Sequence, residues 1–153
     1  MAVVISLREI ADAIDSLSDD WEAYLDPDTG EIVTVTDEER RLVEEGALDD
    51  DLPEWQREML PKVRAALESD RFLLLPDRFE IHEWAIMERF SRAQENERVQ
   101  RELLDALHGS GAFRMFRSAL RRLDFENAWY QYRDSVLEEI AREWLKEHNL
   151  PYK

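Results

Sequence analysis

The stretch from Ala112 to Leu123 carries Arg114, Arg117 and Arg121 at i, i+3, i+7 spacing, with Arg122 beside them. On a helix that spacing gathers guanidinium groups on one face, opposite an apolar stripe of Phe113, Phe116, Leu120 and Leu123. A row of guanidiniums can track a phosphate backbone or receive an acidic protein surface. It can equally be a solvated face, or one neutralised by carboxylates of the same chain. The whole chain has 36 Asp+Glu against 20 Lys+Arg, a formal charge of −16. A field of that sign repels phosphates. Internal or protein–protein pairing is therefore the expectation, and nucleic-acid contact through residues 112–123 the alternative.

Other chemistry-bearing patterns fall short of a site. His82-Glu83 begins like the zinc-protease H-E-x-x-H, but Ile86 stands where the second His is needed. Asp105-x-x-His108 offers one weak half of a carboxylate-bridged metal motif that requires two Glu-x-x-His helices. In Asp26-Pro27-Asp28-Thr29-Gly30-Glu31 the Gly is fifth rather than sixth, and Asp37 occupies the place of the bidentate Glu of a calcium loop. A hairpin turn explains the same residues without a metal. Gly109-Ser110-Gly111 lacks the third Gly, the preceding strand and the Lys-Ser/Thr of phosphate loops, and reads as an interhelical turn. No Ser lies in a G-x-S-x-G elbow, and the many carboxylates single out no acid–base couple. No catalytic residue, metal ligand or cofactor is assigned. An enzyme of unknown chemistry remains the second alternative.

These residues need a scaffold, and composition bounds it. With 153 residues, 44% of them apolar, five Trp, six Phe and no Cys, the chain can pack a core without disulfides or thiolate zinc. One domain over residues 1–153 is expected. Ala2-Val3-Val4-Ile5 is too short for a signal-peptide core and nothing approaches a membrane span, so a cytoplasmic protein is expected. The charge is lopsided. Residues 1–60 hold 19 Asp+Glu and 4 Lys+Arg, a net of −15, whereas residues 61–153 are nearly balanced at −1. The natural counterpart of that acidic part is a basic protein surface. Asp49-Asp50-Asp51 and the acidic run Asp37 to Glu45 read as solvated surface before they read as mimicry of a phosphate backbone.

The elements can be read from caps and periodicity. Ser6 with Glu9 forms a capping box for a helix burying Leu7, Ile10, Ile14 and Leu17. Two β-prone runs around Asp26-Pro27-Asp28-Thr29-Gly30 predict a hairpin over residues 21–35, and Phe72 to Leu75 fits a third strand. Thr36 with Glu39 caps a short helix that Gly46 closes. Pro53 opens a helix with a Trp55, Met59, Val63, Leu67 seam, kinked or broken at Pro61. Asp77 with Glu80, Asn96, Ser110 and Asp124 begin four further helices. The inner face of the first is Ile81, Trp84/Ala85, Met87 and Phe90, and the seam of the last is Trp129, Tyr132/Arg133, Val136, Ile140 and Trp144. Trp55, Trp84, Phe113, Phe116, Trp129 and Trp144 are expected to be buried. The fold class is α+β, mostly helical (residues 61–150), with a small antiparallel sheet.

Several segments carry a family resemblance. They are Leu52-Pro53-Glu54-Trp55-Gln56-Arg57, Leu75-Pro76-Asp77-Arg78-Phe79-Glu80-Ile81-His82-Glu83 running into Ile86-Met87-Glu88-Arg89-Phe90, Gly109-Ser110-Gly111-Ala112-Phe113-Arg114-Met115-Phe116, and Trp129-Tyr130-Gln131-Tyr132-Arg133 with Glu143-Trp144-Leu145. Over Trp21 to Leu150 the chain resembles the uncharacterised protein family 0158 of the UPF series, a bacterial family. The resemblance implies an early hairpin followed by helices, and it brings no activity to any residue. The function expected is that of a small acidic cytosolic protein acting as a non-catalytic interaction or regulatory module.

Overall fold

The β-prone runs pair as their alternation requires. In the computed structural model, which describes residues 3–18, 20–46, 53–77 and 81–153, β1 (Trp21–Leu25) and β2 (Ile32–Thr36) are antiparallel, with Tyr24 opposite Val33 and Leu25 opposite Ile32. The turn closes through Asp26 N–H to the Glu31 carbonyl at 2.9 Å and Gly30 N–H to the Asp26 carbonyl at 2.8 Å, with Gly30 at φ 79°. The third strand is also present. β3 (Leu73–Leu74) adds to β1 in the order β2-β1-β3. Among the described residues there are seven helices, so the architecture is mostly helical α+β.

Contacts divide the chain into two compact units, Met1–Arg78 with Ile140–Lys153, and Phe79–Glu139. In the first, α1 (Leu7–Ser16) is capped by the Ser6 hydroxyl, which accepts from Glu9 N–H. α2 (Asp37–Glu44) has the complete reciprocal box between Thr36 and Glu39. α3 (Glu54–Glu68) lays Val63 and Ala66 on Val33 and Val35 of the sheet, with Tyr24, Val43, Leu67 and Phe72 at the margins. Arg40 reaches from α2 to Glu22 and to the Tyr24 hydroxyl, tying that helix to the same sheet face. The Tyr24 hydrogen bond raises the Arg40 pKa; burial opposes it, and the charges of Tyr24 and Glu22 add to the rise. At the chain's ends Ile5 N–H donates to Pro151 and Lys153 N–H to Ile5, at 2.8 and 2.9 Å.

Two expectations about α3, a break at Pro61 and the burial of Trp55, are corrected here. The helix continues through Pro61 without a break. Proline removes only the bond to the Arg57 carbonyl, and Arg57 is exposed, so water can serve it. Trp55 is 64% exposed and Met59 is exposed as well. A helix of 15 residues spans about 22 Å, and its buried residues begin only at Leu60, so the first turn and a half has no support beneath it.

The second unit is helical. It comprises α4 (Glu83–Arg92), α5 (Glu97–Ala106), α6 (Ala112–Leu123) and the first part of α7 (Glu126–Glu147), whose last turns belong to the first unit. Asn96 caps α5 as expected, accepting from Arg98 and Val99 N–H. Part of the cap expected for α4 falls on Glu80, outside the described residues; the described helix follows His82 in a left-handed conformation. Trp84 is not buried. Its indole N–H donates to the Leu107 carbonyl at 3.1 Å, laying the ring across the end of α5, while Ile86, Met87, Phe90 and Ser91 take the interior. Asp124 does not open α7. It adopts φ 60° and closes α6, with Phe125 N–H returning to the Leu120 carbonyl. The α7 seam is turned by one residue from the expected one: Trp129, Leu137, Ala141, Trp144 and Leu145 are buried, not Val136 and Ile140.

Arg133 of α7 grips Glu83, in the first turn of α4, through Nε–Oε1 at 2.6 Å and a terminal nitrogen to Oε2 at 3.3 Å. Their side chains are only 20% and 17% exposed. Removing either side chain takes a bidentate charge pair out of a largely desolvated place. Glu83→Leu or Arg133→Met is expected to cost about 3 kcal/mol in urea unfolding, while the joint Glu83→Leu/Arg133→Met change should recover most of that loss. A loss in the double variant equal to the sum of the two single losses would show that the pair has no coupling.

Candidate functional site

The four arginines selected from the sequence all lie on α6, which contains no Asp or Glu. Its start differs from the expected one. The N-cap is Gly111 at φ 75°, not Ser110, and no side chain caps the helix. A glycine is required because a left-handed φ disfavours a Cβ. The buried stripe is Ala112, Phe116, Ala119 and Leu120. Phe113, expected in that stripe, is 47% exposed. It falls on the shoulder between the core and the arginines, because Ala112 and Phe116 already occupy the inward turn positions.

Arg114, Arg117 and Arg121 are exposed and lie within about 60° of one another around the axis, opposite the core. Arg122 points along a different flank. The chain neutralises these groups unequally. Arg121 Nε stands 3.8 Å from Glu126 Oε1 and Arg122 is 3.8 Å from Glu102 Oε2. Both carboxylates belong to the same unit as α6, not to the acidic N-terminal part. Among the described residues Arg114 and Arg117 make no salt bridge. The structure therefore groups three of the four expected residues on one face, two of them unneutralised, beside an exposed aromatic ring.

The remaining constellations resolve by geometry. Asp26 is buried; Oδ1 accepts from Asp28 N–H at 3.0 Å and Oδ2 from Arg71 at 3.1 Å, so the turn engages both oxygens. His148 bonds the Trp144 carbonyl at 2.9 Å and packs on its ring. Among the described residues no three His, Asp or Glu side chains are grouped to hold a metal. Asp49, Asp50 and Asp51 lie outside the described residues. Sequence reasoning missed the Arg71–Asp26 and Arg133–Glu83 pairs, separated by 45 and 50 positions, because no local spacing signals either.

Arg114 sits in the first turn of α6, where the helix dipole disfavours a cation, and the other six described helices each carry an acid there. Folding thus gains nothing from it. Arg114→Gln should be neutral or stabilising by a few tenths of a kcal/mol, and the triple Arg114→Gln/Arg117→Gln/Arg121→Gln change should stay within about 1 kcal/mol of wild type in chemical denaturation. A loss well beyond that would mean that these arginines hold the fold.

The comparisons with known proteins give a family without an activity. No curated protein and no solved structure gives a significant match to the chain. No helix among the described residues is long and apolar enough to cross a membrane. The model of the Uncharacterised protein family (UPF0158) matches residues 1–152, and the chain belongs to that family.

Proposed function

We propose that this protein is a non-catalytic cytosolic interaction or regulatory module, with the outer face of α6 as a contact surface for a protein partner. The observation that carries the reading is the pair Arg114 and Arg117, exposed and unneutralised beside the half-exposed Phe113. Arginine and aromatic side chains together are the composition enriched at the centres of protein interfaces. The acid excess of residues 1–60 adds a second preference, for basic groups on that partner. A partner of this kind presents both signs: a carboxylate against Arg114 and Arg117, and basic side chains elsewhere. Nucleic acid on the same arginines is disfavoured by the charge of −16.

The test is capture from lysate with wild type and the triple Arg→Gln variant, at low and high salt. One protein held by wild type, released by salt and lost with the triple variant is the expected result. Capture indifferent to the three arginines would remove α6 as the surface. A mobility shift of RNA or DNA at physiological salt, abolished by the same triple change, would replace the protein partner with nucleic acid.

A further inference from the structure

The order β2-β1-β3 leaves β2 and β3 as the edges of the sheet. β3 is two residues long and Pro76 follows closely, so it offers little to pair with. β2 is different. Its residues, Ile32-Val33-Thr34-Val35-Thr36, are all β-branched, and none is the proline, glycine or charged residue that commonly protects an edge. The hairpin fixes where its peptide groups point. Asp26 N–H meets the Glu31 carbonyl at 2.9 Å and Asp37 N–H the Asp20 carbonyl at 3.0 Å. With Tyr24 opposite Val33 and Glu22 opposite Val35, the peptide groups of Val33 and Val35 therefore turn toward β1. Those of Ile32, Thr34 and Thr36 turn outward. Glu39 Oε1 takes the Thr36 N–H at 3.2 Å. The N–H and C=O of Ile32 and Thr34 have no hydrogen-bond partner among the described residues, and Thr34 is exposed. Along this edge runs a groove of about 520 Å³ between Gly30, Glu31 and Ile32 and one stripe of α1, formed by Glu9, Asp12, Ala13 and Ser16.

We infer that β2 takes an extended, basic segment of a protein partner as a fourth strand. An added strand lies about 4.8 Å from β2 and exchanges backbone hydrogen bonds with Ile32 and Thr34, while alternate side chains point toward the α1 stripe. Backbone pairing supplies the attraction, and charge selects the sequence. Asp12 is paired with Arg8 and Glu31 with Lys62, but all four side chains are exposed, so neither pair holds its charge against a competitor. Glu9 makes no salt bridge among the described residues. Around them stands the net charge of −15 of residues 1–60. The same charge disfavours a second copy of the chain. Pairing two β2 strands antiparallel about Thr34 would set Glu31 of each copy opposite Asp37 of the other, between molecules that each carry −16. Lys or Arg alternating with β-branched residues is the sequence that fits. The inference rests on the reading above only for the partner's basic groups, and it places one such contact in a different unit from α6.

The probe is the peptide acetyl-Thr-Lys-Val-Lys-Val-Lys-Thr-amide, titrated into the full chain and followed by amide chemical shifts and hydrogen exchange. The control carries Glu in place of Lys. Saturable shifts along β2 and α1, with slowed exchange of the Ile32 and Thr34 amides, are expected for the Lys peptide alone. Thr34→Pro removes one outward N–H without touching the ladder to β1, and should weaken binding about tenfold. If Thr34→Pro fails to fold, two N-methylated peptides decide on the wild type. Only alternate amides of a strand face its neighbour, so methylation at Val or at Lys should abolish binding while the other is tolerated. Shifts without protection of Ile32 and Thr34, equal binding of the Glu peptide, methylated peptides that behave alike, full binding by a folded Thr34→Pro, or no response would each overturn the inference. Protection of the same amides without peptide, growing with protein concentration, would put a second copy on the edge and overturn it too. No readout uses lysate or α6, so failure here is separable from failure of the α6 surface.

Discussion

Phe116 is fully buried, and its ring meets Trp129 at 5.0 Å and Phe90 at 6.5 Å, in both cases edge to face. Trp129 in turn stands 5.3 Å from Phe90, and Tyr132 closes the group at 5.4 Å from Phe90. Rings in this arrangement gain quadrupole attraction beyond their burial, and they interlock in few ways. Because side chains on a helix are rigidly phased, seating Phe116 settles the rotation of α6. Arg114, Arg117 and Arg121 then have no choice but to face away from the core. The left-handed residues Gly111 and Asp124 at the two ends let the chain turn sharply, so neither neighbouring helix pulls α6 out of that phase.

The same economy of placement governs charge in the first unit. Its carboxylates are numerous, and two of the described ones join separate parts of the unit. Asp26 holds the hairpin turn and Arg71 together, and Glu22 holds Arg40 across the sheet. Lys62 meets Glu31 at 2.8 Å, both well exposed, a pair worth little by itself.

Several local signals were legible in the sequence, although the caps expected at Ser110 and Asp124 were not, and longer-range pairings were not. The Thr36–Glu39 box, the Asn96 cap and the Asp26–Gly30 turn are each decided within six residues, and each stands where the pattern puts it. Helix rotation was legible only to about one residue. Periodicity chose Val136 and Ile140 for α7 where Leu137 and Ala141 are buried, and it chose Phe113 where Ala112 is. An amphipathic stripe with apolar residues on its shoulders fits two neighbouring phases equally well, and only the facing helix selects one. The exposure of Trp55 and Trp84 follows similarly from the length of a support and from a backbone acceptor, neither of which hydrophobicity encodes. For the arginine face, spacing gave the grouping. Which guanidiniums find a carboxylate depended on Glu102 and Glu126, brought up by other helices.

Arg114 is the residue for which the fold offers least reason. Arg121 and Arg122 lie in the last turn of α6, where the dipole welcomes a cation and where carboxylates stand nearby. Arg114 has the opposite position, with no carboxylate in its turn and no salt bridge among the described residues. General relief of a net charge of −16 does not account for it, since a cation placed almost anywhere else on the surface would give the same relief without opposing the dipole. What distinguishes this position is its neighbours: the exposed ring of Phe113 preceding it and the equally unneutralised Arg117 one turn on. A guanidinium held there is exposed, and the fold supplies it no carboxylate among the described residues.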